Sequence, residues 1–137
     1  MKTKRLFTVT INGVKFEREV KTAEDVIKVL NEADAYVDEQ RSEYDIEDFD
    51  LKMEYYGDHF QLRPEWNSVV EAFNDEIYEL LVGYVKYVAE DREVLDILAM
   101  TGYSDGGDRE LNENNIGTAF DDDTELLAEY MLKYMAL

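Results

Sequence analysis

Apolar and polar residues alternate with a period of two from Leu6 to Val20, interrupted only at Asn12-Gly13. Alternation over this length predicts two half-buried strands, Leu6–Ile11 and Val14–Val20. Asn-Gly between them predicts a two-residue type I′ turn, since both central residues of that turn need a positive φ. Such a turn sets the register: Ile11 opposite Val14, Val9 opposite Phe16, Phe7 opposite Arg18. One face of the hairpin is then apolar through most of its length. The period changes after Thr22. Val26, Ile27, Leu30, Ala33 and Val37 recur at helical spacing. Thr22 followed three residues later by Asp25 predicts a capping box with Asp in the place of Glu. This helix is expected to end near Gln40, with residues 41–50 as a polar, acidic link.

Period-two alternation returns at Leu51, Met53 and Tyr55. After Tyr56-Gly57-Asp58 comes Phe60 and Leu62, which predicts a second hairpin. Pro64 stands where a helix can start. From Trp66 through Val69, Val70, Phe73, Ile77, Leu80, Leu81, Tyr84, Val85 and Val88 one apolar stripe follows for six turns. A shorter helix is expected over Arg92–Thr101, stopped by Gly102. Tyr103–Thr118 reads as loop. A last helix is expected from about Asp122 to the C-terminus. Leu126, Leu127, Tyr130, Met131, Tyr134 and Met135 give it a broad apolar arc, which suits a buried helix or a contact between two copies of the chain. The pattern describes an α+β fold: N-terminal hairpin and helix, second hairpin, long amphipathic helix, two shorter C-terminal helices. One domain over 1–137 is expected, divisible into a hairpin–helix–hairpin part, 1–63, and a helical acidic part, 64–137.

Composition adds charge to this picture. The chain has 137 residues, with 33 acids against 14 bases and a formal charge of −19. Residues 1–30 hold seven basic and four acidic side chains, so the excess of acid lies after residue 30. Aromatic content of 12% and strong periodicity separate the chain from disordered acidic tails. There is no cysteine, which removes disulfides, thiolate metal sites and a thiol nucleophile. Met1–Arg5 runs into an alternating strand rather than the apolar core of a signal sequence, and no apolar run approaches the roughly 20 residues of a membrane span. A cytoplasmic protein is expected. The acidic surface disfavours direct contact with nucleic acid or anionic lipid, and its natural partner is a basic surface.

Candidate chemistry is sparse. His59 is the only histidine, and no metal-binding spacing surrounds it. Ser42, Ser68 and Ser104 stand in no nucleophile elbow. Gly102, Gly106 and Gly107 lack the Lys-Ser/Thr that completes a phosphate loop. Asp105, Asp108, Glu110, Asn112 and Glu113 offer oxygen ligands, but the glycines fall at the wrong positions for a calcium loop. Asp121-Asp122-Asp123 reads most simply as a helix N-terminus. No cofactor, no metal and no enzymatic activity are expected.

The polar side of the long helix is more informative. Glu71, Asp75 and Glu79 stand four residues apart, opposite the apolar stripe, with no Lys or Arg between Glu65 and Glu79. Each step is about 6 Å along the axis, a spacing comparable to that of successive phosphates. Like charges at this spacing oppose helix formation by a few tenths of a kcal/mol. The last helix repeats the habit with Asp122, Glu125 and Glu129. The first helix and its link add Asp34, Asp38, Glu39, Glu43, Asp45, Glu47, Asp48 and Asp50, relieved only by Arg41. Such a surface is either solvated acid, present for solubility, or a mimic of nucleic-acid charge aimed at a basic groove.

Residues 116–130, Ile-Gly-Thr-Ala-Phe-Asp-Asp-Asp-Thr-Glu-Leu-Leu-Ala-Glu-Tyr, resemble the C-terminal segment of ArdA-type antirestriction proteins, and Leu98-Ala99-Met100-Thr101-Gly102 resembles the short helix before it. The chain has an extra residue between Gly117 and Phe120, and Asp122 where a serine is common. Its N-terminal hairpin does not resemble that family's first domain. The resemblance implies an acidic, often dimeric DNA mimic that occupies the DNA-binding groove of type I restriction-modification enzymes. The expectation is therefore an acidic inhibitor, borne by a phage or mobile element, of a restriction-modification or other DNA-handling enzyme. Glu71, Asp75, Glu79, Asp122, Glu125, Glu129 and the acids of 43–50 would form its contact face, and the C-terminal helix would join two copies. The alternative is a structural or adaptor protein whose acid serves solubility.

Overall fold

The computed structural model describes residues 5–55, 68–101, 116–121 and 123–135, together with the backbone course of 58–62. Strands β1 (Leu6–Ile11) and β2 (Val14–Glu19) pair antiparallel, with Ile11 opposite Val14, Val9 opposite Phe16 and Phe7 opposite Arg18. Asn12 and Gly13 have φ of 50° and 86°, as a type I′ turn requires. Strands β3 (Leu51–Tyr55) and β4 (Asp58–Leu62) form the second hairpin. β3 pairs antiparallel with β1, giving one sheet in the order β2-β1-β3-β4. Phe7, Val9, Ile11, Leu51, Met53 and Tyr55 are buried on one face.

Helix α1 (Ala23–Tyr44) crosses that face. Its N-terminus closes as the sequence predicts: the Asp25 N–H donates to Thr22 Oγ1, and Asp25 Oδ2 accepts from the Thr22 and Lys21 N–H groups. The Lys21 amide, then that of Thr22, holds the Asp25 carboxyl below its ordinary pKa. At the other end the helix runs one turn past Gln40. Asp45 adopts a left-handed φ of 55°, and the Ile46 N–H bonds back to Gln40 O at 3.1 Å. An apolar residue just beyond commonly accompanies such an end, and Ile46, partly buried against the core, stands there. Residues 41–44 are thus helical rather than link. The polar last turn has no apolar periodicity from which its helicity could be read.

Helix α2 (Val69–Tyr87) packs on the same face, with the Phe7 and Phe73 rings edge-to-face at 5.8 Å. It starts later than Pro64 suggested. Ser68 is the N-cap, its Oγ accepting from the Glu71 N–H at 3.0 Å, and Pro64 and Trp66 lie outside the described residues. α3 (Asp91–Thr101) follows. α4 (Ile116–Phe120) falls partly in the stretch expected to be loop. Five residues containing Gly and β-branched side chains carry little helical signal, yet Ile116, Ala119 and Phe120 are all buried, so tertiary packing forms the turn. Gly117 lets the Tyr78 hydroxyl come close, since a Cβ there would lie 3.2 Å from it. α5 (Thr124–Tyr134) begins two residues after Asp122. It packs against α1 and α2. Arg5 Nη1 donates to Leu132 O at 3.1 Å, tying the start of β1 to the last turn of α5. The buried side chains of sheet and helices form one cluster from Phe7 to Leu132.

Two amides at the start of α2 are satisfied from another helix. Asp34, half-buried on α1, accepts from the Val69 and Val70 N–H groups with its two carboxylate oxygens. Burial raises its pKa more than those two bonds lower it. A carboxyl whose pKa is higher folded than unfolded binds its proton more readily in the folded state, so its ionisation works against folding as pH rises through the raised value. Asp34→Ala is expected to cost about 1–2 kcal/mol by leaving both amides unmet. Asp34→Asn keeps an acceptor without the buried charge and is expected within about 1 kcal/mol of wild type. Urea denaturation at neutral pH checks both. Equal losses would show that the charge, and not the acceptor, holds α2.

Candidate acidic interaction surface

Glu71, Asp75 and Glu79 are all exposed, on the side of α2 opposite Phe73 and Ile77. The ladder is less unrelieved than sequence spacing implies. Glu71 lies in the first helical turn, where the macrodipole favours a carboxylate. Lys86, two turns past Glu79, closes the same side, its Nζ 5.3 Å from the Tyr87 ring centroid. Between these limits the acid is dense. Glu76 flanks the ladder partly buried, and burial, then the nearby Glu79 charge, raises its pKa.

On α5 the structure places Glu125 and Glu129 outward. Asp122 lies outside the described residues. Asp123 is the N-cap, accepting from the Leu126 N–H at 3.2 Å, so this acid has the capping role the triplet suggested. Lys133 follows Glu129 by four residues on the exposed side, a favourable order for an ion pair along a helix. The broad apolar arc is accounted for inside the chain: Leu127, Ala128, Tyr130, Met131 and Leu132 are buried. Thr124 Oγ1 donates to Asn74 Oδ1 at 2.8 Å, seating the start of α5 beside the second turn of α2. The N-terminal half of α2 therefore meets α1 through Asp34 and α5 through Thr124, which brings two of the acidic stretches to neighbouring elements.

The third stretch lies further along. Glu43 is on the last turn of α1, and Asp45, Glu47, Asp48 and Asp50 are exposed beyond it. The nine residues from Asp34 to Glu43 place this stretch about 14 Å along the helix axis from the start of α2. It is held to the first hairpin through one residue. Asn12 N–H donates to Asp50 O at 3.0 Å, the Asp50 N–H donates to Asn12 Oδ1 at 2.7 Å, and Asn12 Nδ2 donates to Asp48 O at 3.3 Å. Below it, Arg41 lies over the buried Phe49 ring, 5.4 Å from its centroid. Asn12 was legible as a turn residue; its grip on the acidic segment was not. Asn12→Ala is expected to lose both side-chain bonds and the turn preference, lowering stability by about 1–2 kcal/mol. It should also raise amide hydrogen exchange at Asp50, and unchanged exchange there would mean that the side chain does not hold the segment.

Sequence reading also missed where the bases go. Arg5 bonds to the end of α5, Arg18 pairs with Glu32 at 3.4 Å and Lys28 with Glu24 at 3.7 Å. Arg41, Lys86 and Lys133 lie over aromatic rings of their own chain. Nothing in the sequence joins position 5 to position 132. Among the described residues, most bases thus have partners within the fold, and the outward faces of α2 and α5 are left predominantly acidic. What such a surface can do chemically is to present fixed negative charge. The His59 side chain and the Asp105–Glu113 stretch lie outside the described residues. Among the described residues no helix is long and apolar enough to cross a membrane. Comparison with protein-family models, with curated proteins and with solved structures finds no match to this chain.

Proposed function

We propose that this protein is a cytoplasmic, non-enzymatic inhibitor, carried by a phage or mobile element, that offers its acidic helical surface to the basic DNA-binding groove of a restriction-modification or other DNA-handling enzyme. The observation that carries this reading is the Glu71-Asp75-Glu79 ladder, exposed on a helix whose opposite side is locked into the core. Glu125, Glu129 and the acids from Glu43 to Asp50 extend the same charge over α5 and the segment after α1. Charge of one sign on a rigid surface speeds encounter with a basic groove and makes the complex salt-sensitive. The resemblance of residues 116–130 to ArdA-type antirestriction proteins favours a type I restriction enzyme as the first target to test.

The test is DNA cleavage by a purified type I restriction enzyme as this protein is added. Inhibition that excess DNA relieves, and that weakens as salt rises from about 0.1 to about 0.5 M, supports the proposal. No inhibition across type I enzymes and other DNA-binding enzymes sinks it. An adaptor reading has its own support in the exposed Tyr87 and Val88 at the end of α2. Contacts made there would respond little to salt, which separates the two.

A further inference from the structure

Asn12-Gly13 is a reactive pair as well as a turn. Asn is among the chemically labile side chains, and a following residue with no Cβ leaves its backbone nitrogen free to approach the side-chain amide carbon. Both residues are exposed. A Cβ built on Gly13 would meet nothing within 4 Å, so the space around it is open among the described residues.

The Asn12 amide is held at both ends. Its Oδ1 accepts from the Asp50 N–H at 2.7 Å, and its Nδ2 donates to Asp48 O at 3.3 Å. These partners are fixed in turn. The Asn12 N–H donates to Asp50 O at 3.0 Å, and Phe49, between the two acids, is buried beneath Arg41. An amide bonded through both its oxygen and its nitrogen is not free to swing its carbon onto the Gly13 nitrogen.

We propose that Asn12 is a site of spontaneous deamidation, that its bonds to residues 48–50 hold the reaction back, and that the reaction, once it occurs, releases the acidic segment. The Gly13 nitrogen gives up its proton and bonds to Asn12 Cγ. The Cγ–Nδ2 bond breaks, and ammonia leaves. Water then adds to one of the two carbonyl carbons of the resulting ring and opens it to aspartate or isoaspartate, so the net change is water consumed and ammonia released. In either product an oxygen stands where Nδ2 donated, and acceptor then faces acceptor at the Asp48 carbonyl. The position also gains a negative charge beside the exposed Asp48 and Asp50. In isoaspartate the main chain runs through Cγ and is one carbon longer, so the two-residue turn that pairs Ile11 with Val14 no longer closes. Age thus loosens a segment that the fresh chain holds in place. The reaction needs only the fold and water, and it is independent of the proposed inhibition.

Peptide mapping of the full chain tests this. Folded protein and protein held unfolded in guanidinium are aged side by side at mildly alkaline pH and digested with trypsin. The peptide Leu6–Lys15 is then resolved into its Asn, Asp and isoaspartyl forms by chromatography and mass spectrometry. Both samples are expected to convert at Asn12, the folded one slower by about 5- to 30-fold, the ratio that two net hydrogen bonds set in a local opening equilibrium. Phe49→Ala loosens residues 48–50 and leaves the Asn-Gly pair intact, so it should bring the folded rate toward the unfolded one. Should that variant fail to fold by circular dichroism, Phe49→Leu is expected to move the rate in the same direction. Converted chain isolated from the aged folded sample should show faster amide hydrogen exchange at Asp50 than fresh chain. No conversion at Asn12 in the unfolded sample overturns the site. Equal rates folded and unfolded, or a folded Phe49 variant that converts at the wild-type rate, overturn the restraint. Unchanged exchange at Asp50 after conversion overturns the release.

Discussion

Replacing Phe73 with alanine is expected to lower the free energy of unfolding by about 3–5 kcal/mol. Phe73 is 1% exposed and meets the fully buried Phe7 ring edge-to-face at 5.8 Å, interplanar angle 74°. Truncation removes the transfer free energy of the ring and leaves a cavity between β1 and α2 that close-packed neighbours refill only in part. The edge-to-face contact adds about 0.5–1.5 kcal/mol beyond area. Domains of this size hold about 5–15 kcal/mol in total, so the loss is a large share of the whole. Guanidinium denaturation, with the m-value held as a check on two-state behaviour, measures it. Phe73→Leu should recover more than half. A loss below about 1 kcal/mol for the alanine variant would mean that α2 is not seated on the sheet through this ring.

Neutralising the α2 ladder should separate binding from stability. With Glu71→Gln, Asp75→Asn and Glu79→Gln together, affinity for a basic target is expected to fall roughly 10- to 100-fold, taking about 0.5–1 kcal/mol for each charge lost. The salt dependence of binding should flatten as well. Stability should change by less than about 0.5 kcal/mol. Removing like charges four residues apart gains a few tenths, while losing Glu71 from the first turn costs a similar amount. Inhibition titrations at two salt concentrations and a urea melt give both readouts. Unchanged inhibition by a folded triple variant would reduce the ladder to a solvated face. Lost inhibition together with lost stability would show that these side chains hold the helix.

The parts of the fold that were legible share one property: their signal is local. Asn12-Gly13 dictated a turn and therefore the pairing of Val9 with Phe16, and Thr22 with Asp25 dictated a cap. Boundaries that depend on distant residues were not legible. The extra turn of α1 rests on Ile46 and on Arg41 over Phe49. The start of α2 combines its own Ser68 with Asp34 from another helix. α4 is formed by burial and not by propensity. The candidate surface divides in the same way. Helical spacing alone put Glu71, Asp75 and Glu79 on one outward side. It could not show that Asp34, counted with the surface acids, is half-buried and holds two amides, nor that Arg5 reaches the end of α5 and Arg18 pairs with Glu32 on α1.

The bonds from Asn12 to Asp48 and Asp50 have a consequence for association. A mobile acidic segment must be ordered when its partner arrives, at a cost of about 1–2 kcal/mol for each residue whose backbone is fixed. Here that entropy is surrendered during folding, through a turn that the chain needs in any case. In the proposed complex the carboxylates of Glu47, Asp48 and Asp50 meet the partner preorganised, and their attraction to it is kept rather than consumed in ordering the segment.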